Sequence, residues 1–238
     1  MVRAILEGRK TQTRRVVKPQ PHTDCSHIEV DHYHPTVIDK HGDEAPGDEI
    51  FGAYSLDGEW GAKCPYGAPG DRLWVRETWT ADFDWPEESG HPRTLPWADV
   101  PAAFRGPKNC TSVYYAADRI ESHPPLNDGY WIPRECQPTD DEWEQVRWKP
   151  SIHMPRWACR IVLEVVSVRV ERVHDISRAD AKAEGFLPSE FTGLESWNGQ
   201  MYGNAELAFA ACWRDINGLA SWYANPWVWV VEFKAVTP

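Results

Sequence analysis

No stretch of this chain approaches the roughly 18 consecutive apolar residues that a membrane-spanning helix requires. Its apolar runs are only a few residues long, as from Trp227 to Val231. The first ten residues already hold Arg3, Glu7, Arg9 and Lys10 and leave no apolar segment of signal-peptide length. The expected location is therefore the cytoplasm, with no membrane partner. Cysteine pairs at CxxC spacing are also missing: Cys25, Cys64, Cys110, Cys136, Cys159 and Cys212 are scattered through 238 residues. A chain of that length needs no disulfide staples, which makes free thiols the default. A Gly-rich phosphate loop and a βαβ alternation are both lacking, which disfavours a Rossmann or P-loop enzyme. There is no internal repeat and no low-complexity tract. Nor is there an excess of positive charge: 36 acidic residues against 25 basic give a formal charge of −11. That excludes a protein that coats nucleic acid or an anionic bilayer by bulk charge, and any such contact must be local.

What the chain does have is a 42% hydrophobic content, enough for a core, together with 14 tryptophans and 20 prolines. Those residues concentrate where no helix or strand period holds. Positive charge is gathered into two islands. Residues 1–20 carry Arg3, Arg9, Lys10, Arg14, Arg15 and Lys18 against Glu7 alone. From Arg147 to Arg172, the cations Arg147, Lys149, Arg156, Arg160, Arg169 and Arg172 face only Glu164 and Glu171. Basic islands in an acidic chain are the signature either of a confined anion site or of solvated faces paired with nearby carboxylates.

Met1 to Glu7 reads as a short helix that stops at Gly8, and Lys10 to Val17 as extended chain. From about 18 to 68, proline, histidine, aspartate and glycine dominate, and the expectation is an irregular insertion outside the core. Further irregular stretches are expected at about 81–110 and 118–150, flanking a short strand at Ser112 to Ala116. Ala158 to Val173 and Pro226 to Val236 are strand signals. Ser177 with Asp180 opens a helix that ends at Gly185. Asn204 to Asn217 is amphipathic through Leu207, Ala208, Ala211, Cys212 and Ile216. Arg72 to Thr80 alternates as a strand, with Leu73, Val75, Glu77 and Trp79 on one face. If that face is buried, the Glu77 carboxylate is costly unless it is paired or used. The alternative sets it on a partly exposed rim, paired with an arginine.

Lys10 and Thr13 stand close together among cations. A hydroxyl near a lysine whose charge is suppressed can act as a nucleophile, with the amine as base. Positions three apart on a flat strand point to opposite faces, so both reach one site only if the chain turns or bulges there. The alternative is an exposed strand or a phosphate-contacting edge.

The segment Gly8-Arg9-Lys10-Thr11-Gln12-Thr13-Arg14-Arg15, followed by Gly70-Asp71-Arg72-Leu73-Trp74-Val75-Arg76-Glu77-Thr78-Trp79, resembles the ASCH domain family, a relative of PUA domains. The segments Trp148-Lys149-Pro150-Ser151-Ile152-His153-Met154-Pro155-Arg156-Trp157 and Asn225-Pro226-Trp227-Val228-Trp229-Val230-Val231-Glu232-Phe233 narrow the resemblance to the larger ASCH-like proteins of phages and prophages, often labelled morphogenetic. The resemblance implies an α+β fold: a PUA-like, small mixed β-barrel with flanking short helices and long loop insertions, as one domain over 1–238. Family members usually carry a strand and a short loop before the first helix, so the resemblance implies that a barrel strand is missing or the start misassigned. Small bacterial members remove the acyl group from the exocyclic amine of acetylated cytidine. By that analogy Thr13 attacks the amide carbonyl, Lys10 moves the proton, and Glu77 orients the base or protonates the leaving amine. Arg15 matches the family's arginine and would hold a phosphate or brace Glu77.

Arg14, Arg15 and Arg76, with His153, Arg156 and Trp157, make up the expected substrate-binding set, because cations beside aromatic faces suit phosphate contact and base stacking. The alternative for the last group is tryptophans packed over the barrel mouth, with His153 bonded to backbone. Cys25, His27, His32, His34 and Cys64 have only weak zinc-like spacing, so neither metal nor cofactor is expected. The implied function is recognition of a nucleobase, RNA or modified nucleic acid, with amide hydrolysis on an acylated nucleoside as the activity. The alternatives are a non-catalytic RNA- or DNA-binding module, or a structural part of phage morphogenesis partnered by phage proteins.

Overall fold

The computed structural model describes residues 2–22, 25, 27–81, 113–118, 148–186, 195–197 and 200–236. In chain order these form α1 (Val2–Leu6), β1 (Gln12–Val16), β2 (Ile28–Tyr33), β3 (Thr36–Ile38), β4 (Glu44–Pro46), β5 (Ile50–Ser55), β6 (Gly61–Lys63), β7 (Arg72–Trp74), β8 (Trp79–Ala81), β9 (Val113–Tyr115), β10 (Val162–Arg172), α2 (Arg178–Ala183), β11 (Glu195–Trp197), β12 (Gln200–Tyr202), α3 (Ala205–Asn217), α4 (Leu219–Tyr223) and β13 (Trp227–Val236). The fold is α+β with antiparallel sheets and short helices. The chain divides into two compact units, one built mainly from residues 3–73 and 163–235, the other mainly from 74–162.

In the first unit the strands run in the order β1-β13-β10-β7. β13 alternates with period 2, yet both of its faces are apolar, which marks a strand covered on both sides. Val228 and Val230 face a cluster with Ala181 of α2 and Ala205, Ala208, Phe209, Cys212 and Trp213 of α3. Trp229 and Val231 face Ala53, Trp60, Ala62, Cys64 and Val165. The unit is thus layered: helices, then the β13 sheet, then the three-stranded sheet β2-β5-β6.

That second sheet corrects the reading of 18–68 as an irregular stretch outside the core. Residues 28–33, 50–55 and 61–63 pair antiparallel, and Ala53 and Trp60 are buried against Trp229. Local sequence hid this because the strands are short and inward positions such as Ala53 and Ala62 are small, carrying little hydrophobic signal. Most of 81–110 and 118–150 lies outside the described residues.

The helices follow their local signals. Ser177 and Asp180 close a reciprocal capping box on α2, and Asn204 Oδ1 accepts from the Leu207 amide at the start of α3. The buried stripe of α3 runs through Ala205, Ala208, Phe209, Cys212 and Trp213, whereas Leu207 and Ile216 are exposed. The phase differs from the expected one because Phe209 and Trp213, one turn apart, bury more area than a leucine and turn their side inward. After Gly185, at φ +102°, the chain leaves α2, and a Cβ there would press on Ala4 and Lys10.

The expected single strand from 72 to 80 is two strands, β7 in the four-stranded sheet and β8 in the second unit, separated by residues 75–78. The alternation survives the break: Glu77 and Trp79 are buried, Arg76 and Thr78 exposed. β8 pairs with β9 and bridges Lys149. Trp79, Tyr115, Met154, Ala158, Cys159 and Val162 form this unit's core.

Trp229 is 2% exposed at the centre of the first unit's layers. Trp229→Ala is expected to cost about 3–5 kcal/mol, read as a lower urea midpoint with intrinsic tryptophan fluorescence.

Candidate functional site

Lys10 lies just before β1, where its amide donates to the Ala4 carbonyl at 2.8 Å and the next amide, Thr11, donates to Ala183 at 2.8 Å. The backbone is therefore fixed between the ends of α1 and α2. The Lys10 Nζ donates to the Glu184 carboxylate at 2.5 Å and to the Glu184 carbonyl at 3.1 Å. The two side chains are 5% and 3% exposed. Burial pushes the Lys10 ammonium below its ordinary range, against the opposing pull of Glu184 and with help from Arg15.

Glu184 also stands 3.8 Å from Arg14 Nη1. Arg14, whose side chain is fully buried, pairs through Nη2 with Glu171 and with Asp180 at 3.4 Å. Arg169 continues the network outward to Glu171 at 3.2 Å, Asp180 at 2.7 Å and Glu232 at 2.5 Å. Three cations and four carboxylates thus run from a dry interior to solvent on the helix-facing side of the sheet. Burial works to raise the Asp180 carboxyl. The Ser177 hydroxyl and the Arg14 and Arg169 guanidiniums outweigh it and bring the group down to about 2.

Thr13 points the other way. It sits opposite Val231, on the face of the second sheet, while Arg14 sits opposite Val230 on the helix face. The Thr13 hydroxyl accepts from Arg15 Nη1 at 2.8 Å. β1 is regular from Gln12 to Val16, with no bulge to turn the two side chains together. Lys10 and Arg14 meet at one carboxylate, while Thr13 and Arg15 meet each other on the opposite face.

Glu77 belongs to the second unit. Its two carboxylate oxygens accept from Arg160 Nη2 at 2.8 Å and Nε at 2.9 Å, and the Arg160 guanidinium stacks 3.9 Å from the centre of the Tyr115 ring. Tyr115 in turn donates to the Ala158 carbonyl at 2.7 Å. The carboxylate is buried and bidentately paired, a geometry that fixes its orientation.

The remaining expected residues gather on this unit's surface. The guanidinium carbons of Arg76 and Arg156 lie 4.6 and 5.7 Å from the centre of the Trp74 indole, and Lys149 Nζ lies 4.8 Å from that of Trp79. Trp157 meets Trp79 edge-on at 5.8 Å. Arg76, Lys149, His153 and Arg156 are all exposed. Exposed cations beside a half-buried indole, as at Trp74, have the chemistry for phosphate contact and stacking, whereas Trp79 is buried in this unit's core. His153 belongs to a short turn, and its backbone amide donates to Pro150.

The weak zinc spacing does not converge among the described residues. His34 Nδ1 pairs with the Gly47 carbonyl at 3.0 Å, His32 packs at a tilt against Phe51, and Cys64 lies in the core. Sequence reasoning also missed Glu184 and Arg160, the partners of Lys10 and Glu77. Their one visible signal was an ionisable residue placed among apolar neighbours. Comparison with protein-family models, with characterised proteins and with solved structures finds no match for this chain.

Glu184→Ala leaves Lys10 and Arg14 without their shared buried partner and is expected to lower stability by about 3–5 kcal/mol, measured by urea unfolding. Asp180 titrates below its unfolded value of 3.8, so its stabilisation is complete above that pH and is lost as pH falls through about 2. After allowance for solvent screening this is about 1 kcal/mol. Asp180→Asn is expected to flatten the unfolding free energy over that acid window.

Proposed function

We propose that this chain recognises RNA, or a single modified nucleoside of it, through the cation-flanked Trp74 indole, in the manner of an ASCH, PUA-like β-barrel protein. The observation that carries the reading is the placement of two exposed guanidiniums, Arg76 and Arg156, against one half-buried indole, Trp74. In a chain of net charge −11, long-range attraction to a polyanion is unfavourable, so binding depends on local contacts of this kind. An indole stacks on any base and guanidiniums grip phosphate, which suits an unpaired strand rather than a duplex.

The test is fluorescence anisotropy of a labelled single-stranded RNA at fixed salt. The double variant Arg76→Glu, Arg156→Glu is expected to bind at least tenfold more weakly, and the wild-type affinity to fall with rising salt. Lys40→Glu, a charge reversal on an exposed turn of the other unit, serves as the control and leaves affinity unchanged. Equal affinity of the double variant and the wild type would overturn the reading.

A second reading, hydrolysis of an acyl amide on a modified nucleoside, is favoured by the Lys10 amine, which burial shifts toward its neutral, proton-accepting form. It requires Lys10 and Thr13 to serve one carbonyl carbon, and β1 sends Thr13 to the opposite face. RNA recognition therefore stands first. Mass spectrometry of acylated cytidines and adenosines incubated with the protein separates the two: product that disappears in Lys10→Ala establishes hydrolysis, and no product across the panel removes it.

A further inference from the structure

His22, Asp57 and Glu59 come together in the first unit and share no residue with either site described above. His22 follows β1, whereas Asp57 and Glu59 lie in the turn between β5 and β6. The two segments are tied together by Trp60 Nε1, which donates to the Pro19 carbonyl at 3.2 Å. Within the turn, Asp57 Oδ1 accepts from the Ser55 hydroxyl and from the Glu59 amide. That leaves Oδ2 facing His22 Nε2 at 3.6 Å, with Glu59 Oε2 at 3.9 Å from the same nitrogen.

Neither separation is a hydrogen bond. The His22 Nε2 atom is shielded from solvent and has no hydrogen-bond partner among the described residues, although the side chain as a whole is 36% exposed. One donor atom from each residue lies within 4.8 Å of the others. A triangle of these edges has a point at most about 2.4 Å from all three donors, close to the first-shell distances of divalent ions. The spacing is too wide for direct bonding between the groups and right for bonding through one ion.

We infer that His22, Asp57 and Glu59 bind a divalent transition-metal ion of the zinc class. One imidazole nitrogen and two carboxylate oxygens form a borderline donor set, which favours zinc over magnesium because magnesium takes oxygen ligands almost exclusively. Three protein donors leave the remaining coordination positions to water. The ion joins the segment after β1 to the β5–β6 turn and neutralises two facing carboxylates in an acidic chain. The Ser55 hydroxyl and the Glu59 amide fix the orientation of Asp57, the role that outer partners play for metal-ligating carboxylates.

The test uses the full chain stripped with a chelator and then titrated with Zn²⁺ by calorimetry at neutral pH, with Mg²⁺ run in parallel. The expected result is saturable one-to-one binding of Zn²⁺ and a higher Tm on saturation. His22→Ala and Asp57→Asn should each weaken that binding at least tenfold. Asp57→Asn keeps an oxygen for the turn, and circular dichroism checks that both variants fold. Absence of saturable Zn²⁺ binding would overturn the proposal, leaving a histidine that only lies near two carboxylates. Zn²⁺ binding that survives both substitutions, or Mg²⁺ binding as tight as Zn²⁺ binding, would equally overturn it.

Discussion

The burial of both faces of β13 is the constraint on which the first unit depends. Val228 and Val230 are covered by helices, Trp229 and Val231 by a second sheet, so the strand accepts no slip in register. A shift by one residue would exchange the two apolar sets and present each to the wrong layer. β1 pairs with β13 residue for residue from Gln12 to Val16, and the Phe233 amide donates to the Thr11 carbonyl at 2.8 Å. The placement of Lys10, Arg14 and Thr13 therefore follows from the packing around their neighbour strand.

Three buried charges meet on the helix-facing side. Lys10, Arg14 and Glu184 each lose hydration that direct attraction offsets only if the geometry is good. Their strength is accordingly in specification rather than in net stability. Glu184 lies just beyond α2, and its contacts with Lys10 and Arg14 connect that helix end to β1. A strand slipped by one residue would bring Arg14 against Trp229 or Val231 and leave Glu184 without Arg14. The outer members, Arg169 and Glu232, are 36% and 41% exposed, and water screens them, so each contributes less.

The second unit uses charge differently. Glu77 and Arg160 spend their charges on each other in the interior, whereas Arg76, Lys149 and Arg156 keep theirs at the surface beside indole rings. The alternation along 73–79 separates the two uses: odd positions turn inward and Arg76 outward. In this unit exposed cations thereby stand beside indole rings while the whole chain stays acidic. On the reading proposed above, that arrangement would serve selective contact with a short anionic ligand rather than non-specific coating of a polymer.

The sequence by itself determined what is local. The Ser177–Asp180 capping box, the Asn204 cap, the stop at Gly8 and the alternation of β13 and of 73–79 are all set by groups a few residues apart. Each was legible for that reason. Glu77 as a carboxylate on an apolar face was legible too, though not its partner. Only the tertiary structure decided which distant groups meet. Glu184 reaches Lys10 across 174 positions and Arg160 reaches Glu77 across 83. The strands at 28–33, 50–55 and 61–63 became a sheet through pairing with one another and packing under Trp229. The separation of Lys10 from Thr13 was half visible, since positions three apart on a strand oppose each other. Whether a bulge would undo that opposition rested on the regular pairing of β1 with a strand more than 200 residues away. Hydrogen bonds and side-chain periods act over short range along the chain, whereas sheet order and burial are fixed only when remote segments pack together.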